Sequence, residues 1–121
     1  MRLIQEFGYS VPAGNEEAHQ AWVQANEDAL AASHPEGTRL LGIFATVFST
    51  EKQAGYYRVF VELDSYAALD RVAAAAKDGT SDFGRLIREH SAFTDLSWAA
   101  PVSNGLHKAV TDATVFDPPQ P

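Results

Sequence analysis

The sequence predicts an α+β domain in which a four-stranded antiparallel sheet carries two helices on one face, in the chain order βαββαβ. Three observations predict it. Apolar runs of strand length alternate with alanine-rich stretches of helix length, and the strand–helix–strand order occurs twice, over about residues 2–50 and 55–100. The link between the second and third strands is the short polar connector Glu51–Gly55, which makes those strands antiparallel.

The elements follow in order. Residues 2–11 alternate, so that Leu3, Phe7, Tyr9 and Val11 share one face of a first strand and Arg2, Ile4 and Glu6 the other. Pro12–Ala13–Gly14–Asn15 stops it, and Asn15 is a candidate cap for a helix running from Glu16 to Ser33. On that helix Ala18, Ala21, Trp22, Ala25, Ala29 and Ala32 recur at helical spacing, a small-residue stripe expected to lie against the sheet. His34–Pro35–Glu36–Gly37 ends it. The apolar run Thr38–Thr50 reads as the second strand, where strict alternation sets Leu41, Ile43, Ala45 and Val47 against Leu40, Phe44 and Phe48. Tyr56–Leu63 alternates cleanly as the third. Asp64 or Ser65 then caps a helix burying Ala68, Leu69, Val72, Ala73 and Ala76. After a break at Lys77–Thr80, a further helical piece from Asp82 to Glu89 or a little beyond buries Phe83, Leu86 and Ile87. Phe93–Ala100 reads as the fourth strand. The domain is thus expected over residues 1–101, with 102–121 as an extension in which Asn104–Gly105 turns an added strand, Leu106–Val110, before a Pro-rich end. This element order is the ferredoxin-like pattern.

Composition excludes several function classes. The 121 residues suit one domain, and 45% apolar with 21% charged residues is a globular composition. The absence of cysteine removes disulfides, thiol catalysis and cysteine-built zinc sites. A net charge of −7 argues against nucleic acid as a partner. No apolar run is long enough for a membrane span and no signal peptide is read, so a soluble, cytoplasmic protein is expected. His19, His34, His90 and His107 show no HExxH or His–x–His spacing, so no metal site is assigned; Gly79 and Gly84 belong to no phosphate-binding loop.

The second and third strands carry apolar groups on both faces, while helices cover one face alone. Leu41 and Ile43 oppose Leu40 and Phe44, and Phe60 opposes Val59 and Val61. A monomer would expose that second row, and pairing two sheets across a two-fold axis would bury it, so a homodimer is expected. On element order, hairpin length and these two-faced strands, the chain over about residues 2–100 resembles the dimeric α/β barrel superfamily, in which two ferredoxin-like subunits pack sheet against sheet. Within it the chain is most similar to NIPSNAP-like, stress-response and cofactor-free monooxygenase-like members. The resemblance implies a pocket inside each subunit, between the helices and the concave side of the sheet; from the chain's own residues no cofactor is expected. It carries no catalytic residue across, because no short motif aligns.

Candidate residues therefore come from the chain itself. His90 follows Ile87 by three residues and Phe83 by seven, which points it inward as a catalytic base or as a buried imidazole bonded to backbone. His19 and Asn26 flank Trp22 at three and four residues: His19 as a second base or a surface group, Asn26 as an oxyanion donor. Trp22 either fills the space beside the alanines or walls a pocket for a flat ligand. Tyr9 and Tyr57 bring phenols to the first and third strands, Tyr56 and Tyr57 facing opposite ways, and Trp98 reaches the pocket or the dimer seam. Arg58 is expected in a cross-strand ion pair or in an interface contact with Glu6. Two functions follow. One is an enzyme without metal or nucleotide, a cofactor-free monooxygenase or a polyketide cyclase-like catalyst acting on a small apolar or aromatic molecule. The other is a non-catalytic dimer that binds such a ligand or serves in stress. Haem ligation by His90 or His107 is a third reading.

Overall fold

The computed structural model describes residues 2–51, 54–97, 100 and 102–111. Seven elements occur in it: β1 (Leu3–Tyr9), α1 (Glu16–Ala32), β2 (Thr38–Ala45), β3 (Tyr57–Leu63), α2 (Ala67–Lys77), α3 (Asp82–Ser91) and β4 (Ser103–Lys108). The sheet runs β2-β3-β1-β4, with every neighbouring pair antiparallel. Helices lie on one face, giving the ferredoxin-like fold.

Local chemistry explains the helices. Asn15 occupies the cap position of α1 but makes no side-chain cap bond. Instead the Glu16 carboxylate folds back to accept the Gly14 N–H at 2.8 Å. The acids of that first turn suit the positive end of the helix dipole. α2 and α3 are separated by a turn in which the Asp78 carboxylate accepts the Thr80 N–H at 3.0 Å and its hydroxyl at 2.6 Å. Ser81 then caps α3 by accepting the Gly84 N–H at 3.0 Å.

The inward face of α1 is not the alanine stripe. Ala18, Ala21, Ala25, Ala29 and Ala32 are all exposed, while His19 and Leu30 are buried and Trp22, Val23 and Asn26 are half-buried. Residues 19, 22, 23, 26 and 30 form the true apolar-facing stripe, rotated from the alanine one, with Trp22 common to both. Alanine is here a helix former on the solvent side. The core is built from Leu30, Leu40, Phe83 and Leu86, with a second cluster of Leu3, Leu63 and Ala68; Val61 and Val72 pack against both.

Two strand assignments change. β2 stops at Ala45, and a register shift lies between Leu40, opposite Val61, and Gly42, opposite Phe60. The extra residue there puts both Leu40 and Ile43 on the core side. Leu41 and Phe44 take the other face. Gly42 permits the bulge with φ of 149°, a region that side chains disfavour. The fourth strand is Ser103–Lys108, paired with β1 from Leu3↔Lys108 to Gly8↔Ser103. Phe93 and Thr94 belong to turns that close α3, donating to the carbonyls of His90 and Ser91 at 3.1 Å. Asn104 and Gly105 therefore sit mid-strand, not in a hairpin turn, and the sheet is completed by residues the sequence reading placed in an extension. β4 is a mostly exposed edge strand whose SNGLHK sequence has little strand propensity; pairing with β1 overrides it. Trp98 and the Pro-rich end lie outside the described residues.

The helix-free face holds ion pairs of Arg58 with Glu6 and of Arg2 with Glu62. His107 Nε2 lies 3.3 Å from the same Glu6. Arg58 thus finds Glu6 across the sheet of its own chain. Beside these pairs, Ile4, Leu41, Phe44, Phe60 and His107 line an apolar groove of about 520 Å³.

Gly84 lets α3 approach the α2–α3 turn: a Cβ there would sit 2.0 Å from the Asp78 carbonyl oxygen and 2.9 Å from that of Ala75. Both neighbours are backbone and cannot swing aside. Gly84→Ala is expected to lower stability by about 2 kcal/mol, read as an earlier urea midpoint, through overpacking. An unchanged midpoint would mean that α3 shifts freely.

Candidate functional site

Tyr9 ends β1 on the helix side with no exposed surface. The inward stripe of α1 brings His19 to it, and the last turn of α3 brings His90; both are buried, at 2% and 7% exposure. The Tyr9 hydroxyl lies 2.6 Å from His19 Nε2 and 2.7 Å from His90 Nε2. A hydroxyl has one proton, so it donates to one ring and accepts from the other. His19 Nδ1, closed off from solvent, has no partner among the described residues. Rings close the cluster. Tyr57 stacks on Tyr9 at 5.5 Å and lies 4.4 Å from the His19 ring. Trp22 sits 5.5 Å from His90, and Phe93 lies 5.7 Å from His19 and 6.3 Å from Trp22.

Burial sets the charge state. It pushes the Tyr9 phenol well above its ordinary value, with Tyr57 adding to the effect. It pulls His90 down to about 4, helped by repulsion from His19, and lowers His19 as well. Tyr57 is raised by burial, then by Tyr56 and Glu16. At neutral pH the cluster is a set of neutral hydrogen-bonding groups.

His19 and Tyr57 also line a cleft of about 600 Å³ between α1 and the ends of β2 and β3, together with Val23, Ile43 and Tyr56. Gln20 and Gln24 supply polar groups to it. The open space therefore lies beyond His19, not beneath Trp22, whose inner side is filled by His90 and Phe93.

Of the residues singled out from sequence, Tyr9, His19, Trp22, Tyr57 and His90 gather in one place. Asn26 does not join them: it donates to the Trp22 carbonyl at 2.9 Å, within its own helix. The Trp22 indole N–H is also engaged, donating to Glu89 at 3.0 Å. That bond, then Arg85, holds the Glu89 carboxylate below its usual range. Trp98 lies outside the described residues. Sequence reasoning missed Phe93, assigned to a strand, and Ile43, whose face the bulge reverses. It also missed Glu89, which alternates with the inward positions of α3. His90 Nε2 is bonded to Tyr9, and His107 lies on the opposite sheet face. No cluster of three metal-ligating side chains occurs among the described residues.

No protein-family profile and no curated protein matches the chain. Solved structures do match in fold. A NIPSNAP family protein from Agrobacterium tumefaciens superposes with a TM-score of 0.66 at 15% identity, covering 95% of this chain and 99% of that one. A NIPSNAP-like domain protein from Burkholderia xenovorans gives 0.63 at 14% identity, with 99% and 91% covered. SnoaB, a cofactor-independent oxygenase from Streptomyces nogalater, gives 0.51 at 17% identity, with 91% and 94% covered. The chain thus shares the ferredoxin-like fold of these proteins.

The two imidazoles make stability depend on pH. Both are held below their ordinary 6.5 in the folded chain, so folding favours the unprotonated rings. Their contribution is fully present above pH 6.5 and is lost as pH falls toward the folded values. For His90, a fall to about 4 corresponds to about 3 kcal/mol across that window. Comparing urea midpoints at pH 7 and 4.5, His90→Gln is expected to lose less stability than wild type on acidification. Parallel losses would mean that His90 titrates normally.

Proposed function

We propose that this protein is a homodimer whose subunits each bind a small, mostly apolar aromatic molecule bearing an acidic hydroxyl, with His19 as the group that accepts its proton. The observation that supports this is the pairing of a cleft with a buried imidazole whose Nδ1 lacks a partner. A buried polar atom left unpaired is costly, and a ligand hydroxyl would relieve that cost. Val23, Ile43, Tyr56 and Tyr57 supply apolar wall for the ring system. Nδ1 is shielded, so contact requires a small shift of the wall.

Proton removal opens the chemistry seen in the notion of a cofactor-free oxygenase. The ligand anion itself reduces oxygen: a ring C–O bond forms as a hydroperoxide. Its O–O bond and the C–H bond at the same carbon then break, leaving one oxygen as a new carbonyl and the other as water. The two hydrogens of that water are the ligand's hydroxyl proton and that ring hydrogen. A cyclase or isomerase reaction needs the proton transfer alone. One observation favours a non-catalytic binder instead: no side chain along the described cleft carries a formal charge at neutral pH. Oxygen uptake decides between the two.

His19→Gln is the informative variant. A glutamine amide reaches the Nε2 position and keeps a donor to Tyr9, but provides no atom at Nδ1. By calorimetry, wild type is expected to bind 1-naphthol about 10-fold more tightly than naphthalene, the value of one hydrogen bond. His19→Gln should erase that preference. Equal binding of the two compounds by wild type sinks the reading. Oxygen consumption with 1,5-dihydroxynaphthalene, present in wild type and lost in His19→Gln, would make the protein an oxygenase.

The dimer reading rests on the groove beside the ion pairs, where Phe44 is half exposed and meets Phe60 at 5.6 Å. A second copy would cover it. Sedimentation should report about twice 13.1 kDa, and Phe60→Glu should give a folded monomer. A wild-type monomer at micromolar concentration overturns the dimer.

A further inference from the structure

We propose that Tyr9 and His90 act as positioning residues that lock His19 in one tautomer, with Nε2 protonated and a bare lone pair on Nδ1, so that the cleft selects hydrogen-bond donors over their capped analogues. The inference rests on the ligand reading above and extends it from a place to a direction of hydrogen bonding.

The argument is a proton count. The Tyr9 hydroxyl is within 2.6 and 2.7 Å of two Nε2 atoms. Both contacts are hydrogen bonds only if one ring donates and the other accepts, which leaves two arrangements. In the first, His19 Nε2–H donates to Tyr9 and the Tyr9 hydroxyl donates to His90 Nε2. His19 Nδ1 is then an unprotonated acceptor. In the second, every donor is reversed, and His19 must carry its proton on Nδ1.

The unpartnered state of that atom separates the two. A buried N–H without an acceptor is rarer and more costly than a lone pair without a donor. The first arrangement puts the other ring's N–H on His90 Nδ1, which is not among the buried side-chain atoms left without a partner in the described residues, and it is therefore favoured in the empty protein. The rings packed around His19 are Tyr9, Tyr57, His90 and Phe93, and the nearest acid on its own helix face, Glu16, acts on Tyr57. Neither the phenol nor either imidazole can rotate freely, because Tyr57, Trp22 and Phe93 pack on them.

A lone pair at the cleft wall accepts from a phenol or enol O–H. It cannot pair with an aryl ether, which presents only another lone pair. Selectivity of this kind comes from leaving a buried polar group unpaired with the wrong ligand.

The test has two arms. Histidine-selective nitrogen NMR on the ligand-free protein is expected to show His19 protonated at Nε2 and bare at Nδ1, with His90 the reverse. Tyr9→Phe keeps the ring and deletes the hydroxyl, so the two tautomers of His19 should become mixed. His90→Gln supplies an amide oxygen to accept from Tyr9 and should retain the wild-type tautomer, whereas His90→Phe should lose it. Should Tyr9→Phe fail to fold, the His90 pair carries the comparison. A His19 protonated at Nδ1, or one unchanged in Tyr9→Phe and His90→Phe, overturns the lock. The second arm is calorimetry with 1-naphthol and 1-methoxynaphthalene, for which wild type should prefer the naphthol about 10-fold and Tyr9→Phe by less. Equal affinity in wild type overturns the selectivity. If neither compound binds, the ligand reading fails, while the NMR result on the free protein still decides the lock.

Discussion

The hydroxyl of Tyr9 joins a strand to two helices by hydrogen bonds made entirely inside the protein. β1 supplies the phenol, α1 the imidazole of His19 and α3 that of His90, with donor–acceptor distances of 2.6 and 2.7 Å. In a low-dielectric interior such bonds are strong when complete and costly when broken. The helices cannot slide along the sheet without breaking one of them, so the three-way contact fixes how α1 and α3 sit at this end of the domain. The cleft beside His19 inherits its geometry from the same constraint.

Two other features work with it. Gly55 passes so close to β1 that a Cβ would meet the Tyr9 backbone nitrogen at 2.5 Å, placing the chain before β3 against the strand that carries the phenol. Glu27 reaches from α1 to accept the Ile43 N–H of the edge strand β2 at 3.0 Å. That bond covers part of an otherwise open edge and anchors α1 beside the strand that forms the far side of the cleft. Both cleft walls are therefore tied down.

Much of this was legible in the residues. The order of the first six elements, the break between α2 and α3, and the inward aim of His90 follow from periodicity and breakers alone. What misled was ambiguity of period and propensity. The alanines of α1 recur at helical spacing as regularly as the inward stripe does, and only packing tells which stripe is buried. The β2 bulge defeats alternation because one extra residue reverses the pattern after it. β4 lacks a hydrophobic signature because it is a partly exposed edge, while Phe93 offers one because it plugs the histidine cluster. The site was legible as residue types but not as a site: Tyr9, His19 and His90 are far apart in the chain, and the hydroxyl that connects them leaves no spacing signal.

Stability alone gives little reason for the cluster. Apolar side chains of similar volume could fill the space among Trp22, Tyr57 and Phe93 with no donor to satisfy and no imidazole to keep neutral. The cluster instead leaves His19 Nδ1 unpaired, and that atom belongs to the one member of the His–Tyr–His set that borders the cleft. The Tyr9 hydroxyl and His90 Nε2 are bonded to each other within the protein, and the one buried side-chain atom without a partner among the described residues lies at the wall. A core selected for packing would distribute or remove such a cost. Concentrating it at a cavity is what a binding group requires, since the ligand then gains both the hydrogen bond and the relief of a buried atom's desolvation.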